Sequence, residues 1–151
     1  MTEKIEYNWV DASILLSILY NNDSKDGSAD LANIIQTFDF IQHCGLTYLE
    51  LTGALVRLTA NNYITDNGNL TFNPSEFVIS QYKKQKEGKK RIYVDMDLKF
   101  IEKLIGAKEW NKDYDIIKVN QNLIYGDLTE EKFKATEKFI QKEQKKARKK
   151  L

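Results

Sequence analysis

The 151-residue chain is poor in the residues from which small catalytic and metal sites are built: it has one histidine (His43), one cysteine (Cys44) and one proline (Pro74). A single cysteine excludes an internal disulfide framework, and one His beside one Cys falls short of the roughly four ligands that zinc requires. Neighbours on a helix point about 100° apart, so these two do not face each other as base and nucleophile. The pair reads as a helix-end histidine next to a small buried cysteine. Among the seven glycines there is no Gly-x-x-x-x-Gly-Lys or Gly-x-Gly-x-x-Gly to cradle a phosphate. The carboxylate pairs Asp95/Asp97 and Glu130/Glu131 read as helix-start residues that complement the helix dipole. No cofactor and no metal are therefore expected, and the chain reads as non-enzymatic.

Long apolar runs are also missing. The longest, Ala12 to Tyr20, is too short to span a bilayer and is interrupted by Ser13 and Ser17. Met1-Thr2-Glu3-Lys4 leads into polar sequence without the apolar region of a signal peptide. Cytoplasmic residence without a membrane partner is the expectation. What is present is enough for a core: 42% of residues are hydrophobic and 11% aromatic, with 30% charged to keep the surface wet.

The net charge of +1 conceals a division. Residues 1–80 hold three basic side chains (Lys4, Lys25, Arg57) against ten acidic ones, a net of −7, whereas residues 81–151 carry a net of +8. An anionic partner would be drawn to the second half and repelled by the first.

Caps and apolar spacing mark the helices. Asn8, with Asp11 three residues on, starts a first helix ending near Tyr20, and Val10, Ile14, Leu15, Ile18 and Leu19 share its inner face. After the polar segment 21–28, Leu31, Ile34, Ile35, Phe38 and Ile41 mark a second helix to about His43. Cys44-Gly45-Leu46 is a turn. Thr47-Tyr48-Leu49-Glu50 has the form of a capping box, and Leu51, Ala54, Leu55 and Leu58 continue as a helical stripe to Ala60. Tyr63-Ile64-Thr65 and Leu70-Thr71-Phe72 flank Asn67-Gly68, a strong hairpin signal because both residues accept positive φ.

Asn73-Pro74-Ser75-Glu76 reads as a fourth helix start, with Asn73 as cap and Phe77, Ile79 and Tyr82 turned to the core. Lys83 to Arg91 is a basic junction, with Gly88 as helix end or hinge. Met96 to Gly106 reads as a short helix, and Tyr114–Val119 and Leu123–Tyr125 as two short strands. A last helix begins at Asp127 or Thr129 with Phe133, Phe139 and Ile140 inward, and Lys142 to Leu151 is a frayed or solvated end.

The order helix, helix, turn, helix, hairpin over residues 8–82 resembles the winged-helix domain. Thr52-Gly53-Ala54-Leu55-Val56-Arg57-Leu58, running to Tyr63-Ile64, is similar to the recognition helix and first wing strand of bacterial repressors of the MarR and PadR type. The resemblance implies an α+β, mostly α fold: a winged helix-turn-helix domain over 1–82, a basic junction over 83–91 and a mostly helical C-terminal extension over 92–151. It further implies DNA binding and transcription regulation. The helix Tyr48–Ala60 would face the major groove with Tyr48, Thr52, Gly53, Val56 and Arg57 outside its core stripe, and Asp66–Asn69, including Asn67, would form the wing tip.

Arg57 is the only base on that helix, whereas phosphate neutralisation supplies most of the affinity of DNA-reading proteins. Lys83, Lys84, Lys86, Lys89, Lys90 and Arg91 form one basic cluster, and Lys142, Lys145, Lys146, Arg148, Lys149 and Lys150 a second, either able to track a phosphate backbone. The nucleic-acid-binding candidates are thus Tyr48, Thr52, Arg57, Asn67, Lys89, Lys90 and Arg91. Two other readings stay open. Both clusters are plain solvated linker and tail, or the basic half meets an acidic half, within one chain or across a homodimer. The alternative function is a winged-helix protein–protein interaction module without nucleic-acid binding. Most aromatics fall at core spacing. Tyr48 is expected to be exposed, and Trp110 to anchor the second half to the first.

Overall fold

In the computed structural model, which describes residues 4–22, 27–88 and 93–150, the fold is built around one central helix. This helix, α1 (Trp9–Tyr20), is capped by Asn8, whose side chain accepts from the amides of Val10 and Asp11 while the Asp11 carboxylate takes the Asn8 amide at 3.0 Å. Every residue from Val10 to Leu19 is buried, so α1 has no wet face. Ser13 and Ser17 survive there because their hydroxyls donate back to the carbonyls of Trp9 and Ser13, each at 2.8 Å, satisfying groups that would otherwise be buried without partners.

Four elements pack against α1: α2 (Leu31–Gln42), α3 (Tyr48–Ala60), α5 (Val94–Ile105) and the second strand of a hairpin. Helix α2 is capped by Asp30 and ends at His43, whose left-handed backbone (φ 57°) turns the chain toward α3. Helix α3 opens on the Thr47/Glu50 capping box. The hairpin follows, β1 (Ile64–Asp66) antiparallel to β2 (Phe72–Pro74), with Ile64 opposite Pro74 and Asp66 opposite Phe72. Its loop spans residues 67–71, with positive φ at Gly68, Asn69 and Leu70. Ala29 adds a single bridge to Phe72, exchanging both backbone hydrogen bonds at 2.8 Å.

Helix α4 (Glu76–Lys86) is capped by Ser75 rather than Asn73: the Ser75 hydroxyl accepts from Val78 N, while Pro74 closes the strand opposite Ile64. The two-residue shift goes with Val78 in the core and leaves Phe77 52% exposed, with Ile79 and Tyr82 only partly buried. Helix α5 ends at Gly106, where the left-handed φ of 68° that favours glycine releases the chain. Asp97 is not merely a helix-start charge. It is fully buried, accepting from the hydroxyls of Tyr20 (2.6 Å) and Tyr82 (3.0 Å) and pairing with the Lys86 ammonium (2.6 Å), so that it ties α1, α4 and α5 together.

No strands form over residues 114–125. Asp115 accepts from the amides of Ile117 and Lys118, and this local cap wins over the strand preference of the β-branched run to give α6 (Ile116–Val119). The last helix, α7 (Glu130–Lys149), starts at the Thr129 cap, lies against α2 and buries Phe133 and Ile140. Residues 141–149 are helical and exposed, solvated as expected, although Phe139 is 55% exposed instead of inward. Among the described residues, no helix is long and apolar enough to cross a membrane, and no group of three or more His, Cys, Asp or Glu could hold a metal ion. The result is a mostly helical α+β chain with one small antiparallel sheet.

Candidate functional site

The spacing Tyr48, Thr52, Gly53, Val56, Arg57 selects one face of α3, and the structure keeps these residues on one face. What covers that face is the chain's own segment 114–128. The Tyr48 hydroxyl donates to Leu128 O at 3.0 Å while its ring packs near Phe133 (centroids 6.1 Å apart), so Tyr48 is half-buried rather than exposed. Thr52, 1% exposed, accepts from Tyr125 N at 2.7 Å. Gly53 lies under the side chain of Asn120. At the start of the helix, Glu50 accepts the Tyr114 hydroxyl at 2.8 Å in addition to its capping bonds.

Arg57 is 7% exposed and its guanidinium points inward. Nε and Nη2 bind the two Asp11 oxygens at 2.8 and 2.9 Å, Nη1 donates to Val119 O at 2.9 Å, and Nη2 also reaches Asn120 Oδ1 at 2.9 Å. The two-pronged geometry suits a planar guanidinium and a carboxylate. Burial pushes the Asp11 carboxyl above its ordinary range, against the opposing pull of Arg57 and the Asn8 amide. One base on α3 is thereby consumed inside the protein, joining α1, α3 and α6.

Asn67 is exposed at the loop of the hairpin, where its amide donates to Thr71 O at 2.9 Å and its side chain bonds Asn73. It does not adjoin the buried α3 residues through any bond among the described residues. Asp66 accepts the Tyr125 hydroxyl, so segment 114–128 reaches from α3 to the hairpin. Lys89, Lys90 and Arg91 lie outside the described residues. Trp110 does not anchor the two halves: it is 64% exposed. Cys44, expected to be buried, is exposed.

The remaining basic cluster is intact. Lys142, Lys145, Lys146, Arg148, Lys149 and Lys150 share the exposed last turns of α7 with one acid, Glu143, which pairs with Lys146 at 3.6 Å. Upstream, α7 runs past the α2–α3 turn, with Ile140 and Gln141 lining the same shallow cavity as Gly45 and Leu46.

The chain matches no protein-family model, curated protein or solved structure.

Sequence reasoning missed Tyr114, Asn120 and Tyr125, which close over α3, and read Asp11 only as a helix-start residue, not as the partner of Arg57. The local signal beside the first three is the Asp115 cap, which predicts a helical turn but not where the turn docks.

Proposed function

We propose that the chain is a non-enzymatic winged-helix protein that binds nucleic acid through the projecting end of α7 and not through α3. The winged-helix reading is supported by the order α1, bridge at Ala29, α2, α3, β1, β2. Nucleic acid is the partner on analogy with the common use of that arrangement, and transcription regulation is its expected setting. The observation that carries the choice of surface is a contrast. The outer face of α3 is covered by residues 114–128 with Arg57 neutralised by Asp11, whereas six cations stand in solvent on the last turns of α7. Such a helix tracks phosphates without reading bases, so binding is sequence-tolerant and salt-dependent.

The test is fluorescence anisotropy of mixed-sequence duplex and single-stranded DNA across a salt series, with the full chain and with a chain ending at Gln141. Six phosphate contacts on duplex would give a log–log salt slope of about −5, and truncation would abolish it. A second reading, a protein-interaction module, is favoured by Ile117 and Ile124, which stand 70% and 73% exposed on the covering segment. Absence of binding to either DNA at low salt decides for that module.

A further inference from the structure

A cavity of 510 Å³ opens between the start of α1 and the stretch 108–123, a volume within the range of small-molecule sites. Its walls include Tyr7, Trp9 and Tyr114, and Trp9 and Tyr114 meet edge to face with centroids 5.4 Å apart. The frame is fixed by backbone: Lys108 N donates to Tyr7 O at 3.0 Å, and Asn111 holds the next turn through bonds to the amides of Asp113 (2.8 Å) and Tyr114 (3.1 Å). The aromatic wall is therefore pre-formed.

Glu6, Glu109 and Asp113 also line the cavity. Of the two cations there, Arg57 is matched by buried Asp11, and Lys108 stands 3.7 Å from Glu6. Neither Glu109 nor Asp113 is in a salt bridge among the described residues. Nearby on α5, the Glu102 carboxyl is raised above its ordinary value by burial and then by Glu109, against the pull of Lys99. The Trp9 indole N–H, buried and without an acceptor among the described residues, makes a sensitive reporter on that wall.

Aromatic faces within a negatively charged rim attract cations, most strongly where the cation sheds water. We propose that this cavity binds a small alkylammonium cation, held by its aromatic wall and its acidic rim. The site is independent of the nucleic-acid reading, because it lies on α1 and residues 108–123 and uses none of the α7 cations.

The test uses ¹⁵N-labelled full-length protein, with choline chloride titrated at constant ionic strength and the Trp9 indole N–H as reporter. A saturable shift of Trp9 is expected with choline but not with its neutral carbon isostere. Changing exposed Glu109→Gln and Asp113→Asn together should weaken choline about tenfold while leaving the spectrum otherwise folded. An equal response to the neutral isostere would reduce the cavity to a generic apolar pocket and overturn the proposal. So would the absence of a saturable shift, or a response to a lysine-rich peptide without one to choline.

Discussion

Asn120 closes on Gly53 so tightly that a Cβ built at Gly53 would fall 2.0 Å from Asn120 Oδ1. The same oxygen accepts from Arg57, and Asn120 Nδ2 donates to Ile116 O at 2.8 Å, so the side chain has no free direction in which to retreat. On an exposed helix Gly→Ala stabilises by about 1 kcal/mol. Here Gly53→Ala should destabilise instead, by about 1–3 kcal/mol as in other overpacked sites. Urea unfolding measures the sign, and a cycle with Asn120→Ala should return the alanine to its ordinary benefit. A stabilised single mutant would mean that α6 does not sit on α3.

Arg57→Ala leaves Asp11 buried without its partner, and the expected loss is about 3–5 kcal/mol. The paired change Asp11→Leu with Arg57→Met, which removes both charges and keeps volume, should recover most of it. Thermal melts of the three variants distinguish this from a binding role for Arg57. If the single mutant folds with wild-type stability, the guanidinium is free and the covered face of α3 must be reconsidered.

Alkali should unfold the protein from a defined starting point. Tyr7, Tyr20, Tyr114 and Tyr125 all have hydroxyls raised above the ordinary value of 10.0, chiefly by burial, with Asp97, Glu50 and Asp66 adding to the effect at the last three. Their folded-state pKa lies above the unfolded one, so their contribution is fully present below pH 10 and is lost as pH rises toward the folded values. Melting temperature should be insensitive to these groups at neutral pH and fall progressively above about pH 10. Phenolate absorbance should rise in two stages, the second coinciding with loss of helical circular dichroism. A single-stage titration with the fold intact would contradict the buried tyrosine contacts.

Replacing Lys142, Lys145, Lys146, Arg148, Lys149 and Lys150 with Gln should change stability by no more than about 0.5 kcal/mol, since all six are exposed. The same change should remove salt-dependent DNA binding. Retention of full affinity would move the interface elsewhere, with Lys83 and Lys84 on α4 the next candidates.

The local parts of this architecture were legible. Asn8 with Asp11, Thr47 with Glu50, and Thr129 each carry the cap that their position in sequence announces. Where two local signals competed, reading failed. Pro74 suits a first helical turn, but it also tolerates the end of a strand, and pairing with Ile64 decided the matter. Ile116-Ile117-Lys118-Val119 favours a strand by composition, but the Asp115 carboxylate held two amides and made a turn of helix. The long-range relations left no local trace. Periodicity identified the face of α3 that bears Thr52 and Arg57, but nothing near Arg57 in sequence announces Asp11, 46 residues away, as its partner. The expected exposure of that face rested on the resemblance and on its lying outside the core stripe, and such a face is equally served by bonds to the chain's own later residues.

The cover over α3 also alters what can change in this chain over generations. A helix that reads an outside partner is constrained by that partner's sequence. Here Gly53 answers to Asn120, Thr52 to the backbone of Tyr125, and Arg57 to Asp11. Drift at one member should be tolerated mainly when its counterpart has drifted too, so the history of this surface would be written as paired substitutions within a single polypeptide.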